Sequence, residues 1–96
     1  MKHLSSHELY AMKTDLQYIS RVFKTYVRSN NKFTPEYLAF NVNCIEYDNH
    51  YKFIYQNNGI YMKYCKQYIT SLDKYNMYEH HIVIWHNGIL IYQNSF

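Results

Sequence analysis

Apolar residues recur along the first third of the chain at alternating intervals of three and four: Leu9, Met12, Leu16, Ile19, Phe23 and Tyr26. That spacing lays one stripe along a long amphipathic helix. Ser5 with Glu8 three residues on has the form of a capping box, and Leu4 and Leu9 stand where a hydrophobic staple needs them. The helix is predicted to stop near "RSNN", where Asn30 or Asn31 suits a left-handed C-cap. Thr34-Pro35-Glu36 then reads as a helix start, with proline at the first helical position. Phe40, Val42 and Cys44, however, alternate with Asn41 and Asn43 in the period of a strand. The prediction is a turn or one helical turn near 35–38, a strand over about 39–47, a turn at "DNH", and a second strand at "YKFIYQ".

Beyond "NNG" the spacing changes. Tyr61, Tyr64, Cys65, Tyr68, Ile69 and Leu72 form a helical face, with Lys63, Lys66, Gln67 and Thr70 off it. A second helix over about 59–73, capped by Asn57 or Asn58, is expected, with a β-meander continuing through "NNG" as its rival. "HHIVIWHNGILIYQ" reads as a hairpin, because Asn87-Gly88 is the dipeptide a type I′ turn prefers. Counting outward from that turn pairs His86 with Ile89, Ile84 with Ile91 and Ile82 with Gln93. On the other face it sets Trp85 beside Leu90 and Val83 beside Tyr92.

The resulting order is α-β-β-α-β-β: a single small α+β domain over residues 1–96, a four-stranded antiparallel sheet with the helices packed on one face. The alternative is one long N-terminal helix against a five-stranded antiparallel meander. "IYQN" occurs at 54–57 and again at 91–94. In the first arrangement each copy ends the second strand of an αββ unit, the position an internal repeat would predict. The two helices share no pattern, which weighs against a repeat.

Composition narrows the class. A chain of 96 residues, 48% hydrophobic, has room for one core. Thirteen tyrosines beside abundant asparagine, isoleucine and lysine are what AT-rich codons specify, as in a phage, a plasmid or a low-GC bacterium. The net charge of +3 permits contact with nucleic acid and argues against an acidic mimic of DNA. Cys44 and Cys65 lie far apart and form no CxxC, so buried thiols in a reducing cytoplasm are expected rather than a disulfide. The N-terminus does not read as a signal peptide, and no apolar run approaches the roughly 20 residues of a membrane span.

The chemistry-bearing residues point away from most enzymes. Adjacent strand residues such as His80 and His81 face opposite ways, and His80 and His86 stand about 20 Å apart along an extended strand. His3 and His7 have helical spacing, but His3 precedes the proposed cap, so no metal site is expected. Gly59 and Gly88 are the only glycines, too few for a phosphate-binding loop, and no cofactor is expected. There is no GxSxG. A toxin-like ribonuclease needs only groups such as His50, Lys52, Glu79 and His80, although nothing in the sequence fixes their geometry.

Two surfaces stand out. Lys13, Gln17, Arg21, Lys24 and Arg28 fall within about 80° of a helical wheel at about 100° per residue, away from the apolar stripe. They make either a solvated face or a basic ridge for phosphate or an acidic protein surface, with Asp15 beside it. Trp85 and Tyr92 on the hairpin are candidate anchors, since aromatic side chains bury large area with few rotors to freeze. Together these features favour a small non-enzymatic protein-binding module. The partner would be a larger protein or nucleoprotein complex, bound by an inhibitor of phage or mobile-element origin that covers a host nuclease or defence complex. The alternatives are a nucleic-acid-binding module using the helix ridge, and the ribonuclease. A dimer through a hairpin edge is compatible with either arrangement.

Overall fold

The computed structural model describes residues 12–27, 32–47, 50–70 and 76–95. Its elements are α1 (Lys13–Tyr26), α2 (Pro35–Asn41), β1 (Asn43–Glu46), β2 (His50–Asn57), β3 (Ile60–Thr70), β4 (Asn76–His86) and β5 (Ile89–Ser95). This is a small α+β arrangement of two helices and a five-stranded antiparallel sheet, so the meander alternative fits and the four-stranded order does not. The chain divides into two compact units, residues 1–42 and 43–96.

In the first unit, Leu16, Ile19 and Phe23 are fully buried along α1, as their spacing predicts. Tyr26, placed in the same stripe, is instead 48% exposed, and Val22 and Val27 are buried. Val27 leaves the helical region (φ −115°, ψ 106°) while its N–H still donates to Phe23 O at 2.8 Å. The helix therefore ends before "RSNN". Val27 is extended and its side chain is buried. Arg28, Asn30 and Asn31 lie outside the described residues, as do Leu4, Ser5, Glu8 and Leu9 of the proposed cap and staple.

Helix α2 runs longer than one turn. Thr34 caps it, its Oγ1 accepting from the Tyr37 N–H at 3.1 Å, and Pro35 takes the first turn where a missing N–H costs nothing. Asn41 extends the helix by donating Nδ2–H to Tyr37 O at 2.7 Å. The strand expected from residue 39 consequently begins only at Asn43, and Phe40 is 63% exposed on the helix. Phe33 ties the two helices together. Its ring stacks on Phe23 at 4.4 Å and meets Tyr37 edge-on at 5.7 Å, and its carbonyl accepts from the buried Ser20 hydroxyl at 2.5 Å.

In the second unit the strands follow chain order, β1-β2-β3-β4-β5, every neighbour antiparallel. Over residues 60–70 the predicted helix of 59–73 is instead the strand β3, and residues 71–73 lie outside the described residues. Asn58 and Gly59 both take positive φ (50° and 80°), as do Asn87 and Gly88 (53° and 81°), so two Asn-Gly turns make two hairpins. Along β3 burial alternates: Ile60, Met62 and Tyr64 are buried, while Tyr61 and Cys65 are half-buried and Lys63 is exposed. The helical face drawn through Tyr61, Tyr64 and Cys65 is thus split between two sheet faces. Tyr68 and Ile69 belong to the strand, but their side chains, and Leu72, lie outside the described residues.

Register defines the faces. One row crosses all five strands as Cys44, Phe53, Tyr64, Ile82 and Asn94. The next runs Tyr55, Met62, Ile84 and Tyr92. Phe53, Tyr55, Met62, Tyr64, Ile82 and Ile84 are at most 1% exposed, so this face holds the sheet's core. On the opposite face none of the residues whose side chains are described is buried.

The β4–β5 hairpin departs from regular counting. His86 pairs with Ile89 and Trp85 with Leu90 as expected, but a bulge follows, and Ile84 then pairs with Tyr92, Val83 with Gln93 and Ile82 with Asn94. The extra residue, Ile91, moves Tyr92 onto the core face. Both edges are blunted, β1 by having only four residues and β5 by its bulge.

The two "IYQN" copies lie in different settings, the first running into the Asn58-Gly59 turn and the second following Asn87-Gly88 at the end of β5. The αββ repeat dissolves with the second helix. What the hairpins share is "NGI", at 58–60 and 87–89.

Candidate binding surfaces

Helix α1 presents Lys13, Gln17, Arg21 and Lys24 as exposed residues. Asp15, expected beside this ridge, is only 6% exposed and so does not stand on the surface with it. Among the described residues neither Arg21 nor Lys24 makes an ion pair. Gln17, Ser20, Arg21, Lys24 and Pro35 line an open hollow of about 400 Å³. Sequence reasoning missed Ser20 and Pro35 here. The wheel gave the basic residues, but only the fold brings the start of α2 up to α1.

The open sheet face is the second surface. Its rows are Gln56, Tyr61, Trp85 and Leu90; then Asn43, Ile54, Lys63, Val83 and Gln93; then Ile45, Lys52, Cys65, His81 and Ser95. Trp85 is 39% and Leu90 41% exposed, and Tyr61 is directly opposite Trp85. Tyr92, the other proposed anchor, is half-buried on the core face, so the bulge separates it from Trp85. Tyr61 takes its place beside the tryptophan, a role hidden while residues 59–73 read as a helix. At the far end of the face Tyr47 stacks on His50 at 4.2 Å, with Lys52 Nζ 5.4 Å from the Tyr47 ring centre.

The groups weighed for catalysis are dispersed. His50 and Glu79 share a row of the open face through Gln67, whereas His80 pairs with Lys66 and Tyr51 on the opposite face and lies 6.2 Å from the Tyr64 ring. A different set does meet: His81 Nδ1 lies 2.8 Å from Ser95 Oγ and its Nε2 3.4 Å from Glu79 Oε1. The order resembles a serine–histidine–acid relay, but the His81 and Glu79 side chains are 45% and 46% exposed. Such a relay lacks the water-excluded surroundings in which charge stabilisation becomes large.

A second hollow, of about 340 Å³, wraps the Asn58-Gly59 turn and has no ionisable lining group besides Tyr61. Among the described residues no cluster of three His, Cys, Asp or Glu is placed to hold a metal, and no helix is long and apolar enough to cross a membrane. Cys44 is buried and Cys65 half-buried, both as thiols. No protein-family model, curated protein or solved structure matches the chain.

Proposed function

We propose that this protein is a non-enzymatic binding module that docks on a larger protein through its open sheet face, with Trp85 as the central anchor. The observation that carries this reading is the row Tyr61, Trp85 and Leu90, three large side chains side by side on a face where no described side chain is buried. Ile54 and Val83 extend the apolar patch, and Lys63 and Gln93 give it polar company. Interfaces concentrate their energy in such aromatic centres, surrounded by contacts that exclude water. Lys13, Arg21 and Lys24, with Arg28, supply positive charge that speeds encounter with an acidic partner surface. The two thiols fit a reducing cytoplasm. The finer reading, an inhibitor of phage or mobile-element origin that covers a surface of a host nuclease or defence complex, rests on the codon bias and the small size of the chain.

The test is capture from a bacterial lysate treated with nuclease, followed by affinity measurement on the retained protein. Trp85→Ala is expected to weaken binding by about 2 kcal/mol or more, roughly thirtyfold, with the fold intact by circular dichroism. Retention of nucleic acid alone, lost after nuclease treatment, or an unchanged affinity for Trp85→Ala, refutes the reading.

A further inference from the structure

We infer that the hollow on α1 is a binding site for a phosphate ester, held by Arg21, Lys24 and Gln17. It is built rather than a chance gap between mobile side chains. Gln17, Arg21 and Lys24, four and three residues apart, fall on one side of the helix. Ser20 forms the floor, and its hydroxyl is committed to the Phe33 carbonyl. Pro35, at the start of α2, completes the lining. It is fixed by the Thr34 cap on one side and by Phe33, stacked on Phe23, on the other.

The chemistry selects an anion. The lining offers a guanidinium, an ammonium and an amide, and contains no carboxylate. Glu36 follows Pro35 and is exposed, but it is not part of the lining. Arg21 and Lys24 have no ion-pair partner among the described residues, so a ligand displaces no internal salt bridge. Guanidinium and ammonium groups together suit a tetrahedral phosphate, the first by its fork of N–H donors and the second as a compact charge. The hollow, about 400 Å³ and open to solvent, leaves room beside a bound anion for the organic group of a phosphate ester. The ligand is therefore a phosphate carrying an organic group, either a free phosphate monoester or a phosphodiester of a nucleic-acid backbone. Every lining residue belongs to the first unit, whereas Trp85 belongs to the second, so Trp85→Ala removes no group of the site.

The experiment is a titration of the ¹⁵N-labelled full chain at constant ionic strength. The probes are inorganic phosphate, adenosine 5′-monophosphate and a ten-nucleotide single strand, with acetate as control. The Gln17 side-chain amide, the Arg21 Nε–H and the Ser20 amide are expected to shift together and saturate. Arg21→Gln combined with Lys24→Gln, both at exposed positions, should weaken binding about tenfold or more. Saturation with the monophosphate identifies a free ester as sufficient. Saturation only with the oligonucleotide identifies backbone phosphate, and the double variant should then lower the salt slope by about 0.7 per phosphate lost. Absence of a saturable shift with every phosphate probe, an equal response to acetate, or an unaffected double variant overturns the proposal; the wild-type titrations stand whether or not the variant folds.

Discussion

Gly59 and Gly88 occupy the same position of two Asn-Gly turns with nearly the same φ, 80° and 81°, yet their surroundings differ. A Cβ on Gly88 would meet nothing within 4 Å, whereas one on Gly59 would overlap Asn87 Oδ1 and come within 3.3 Å of Asn87 Cγ. The Gly59 carbonyl also accepts from the Asn87 N–H at 2.8 Å, which holds the two turns together at one end of the sheet. Gly88→Ala should therefore cost only the left-handed backbone penalty, about 1–2 kcal/mol. Gly59→Ala carries that penalty plus about 0.5–1.5 kcal/mol, because the exposed Asn87 side chain must leave its rotamer to make room. The expected total is about 1.5–3.5 kcal/mol, a sizeable share of the roughly 5–15 kcal/mol that stabilises a domain. Urea unfolding followed by far-ultraviolet circular dichroism gives both values, provided the slope m is unchanged. Asn87→Gly removes the obstructing side chain at a position where glycine is comfortable. Added to Gly59→Ala, it should return the loss to about the Gly88→Ala level. Equal losses for the two alanine variants, within about 0.5 kcal/mol, would refute the reasoning, as would failure of Asn87→Gly to recover stability.

Ser20→Ala leaves the buried Phe33 carbonyl without its 2.5 Å donor and should lower stability by about 1–3 kcal/mol in the same urea assay. Thr34→Ala removes the cap on the Tyr37 N–H at a cost of about 1 kcal/mol, and Thr34→Asp should retain most of that stability. Tyr64→Ala, at the centre of the buried row, should cost about 3–5 kcal/mol, against less than about 1 kcal/mol for Lys63→Ala next to it on the open face.

Helix α1 and the β4–β5 turn were legible in the sequence because each carries one unambiguous signal. Leu16, Ile19 and Phe23 have helical spacing and no competing period, and Asn87-Gly88 admits few other conformations. Residues 60–70 form a strand where periodicity predicts a helix, because tyrosine suits either solvent boundary: its ring can be buried and its hydroxyl can face water. Counting Tyr61 and Tyr64 as equally apolar produces a helical face, whereas the strand buries one and half-exposes the other. The deciding signal was present in Asn58-Gly59, the same dipeptide trusted at 87–88. The candidate site was legible in part. Periodicity delivered Gln17, Arg21 and Lys24, but Ser20 and Pro35 join them only through the docking of Phe33. Trp85 was found by residue type. Its neighbour was misassigned because a bulge adds one residue without a local signature, and one residue is enough to turn Tyr92 to the other face.

The strictly sequential order of the five strands also bears on synthesis. Each strand pairs with the one made just before it, and no paired residues stand farther apart in the chain than Ile60 and His86. A ribosome releasing this chain from its N-terminus thus never holds a strand waiting for a distant partner. β2 can close on β1, then β3 on β2, each step spanning a short loop of low entropic cost. Exposed strand edges are the hazard of slowly assembled β proteins. Here each new edge is covered by the next strand to emerge, and the fifth of the five strands, β5, is the bulged one that discourages further growth.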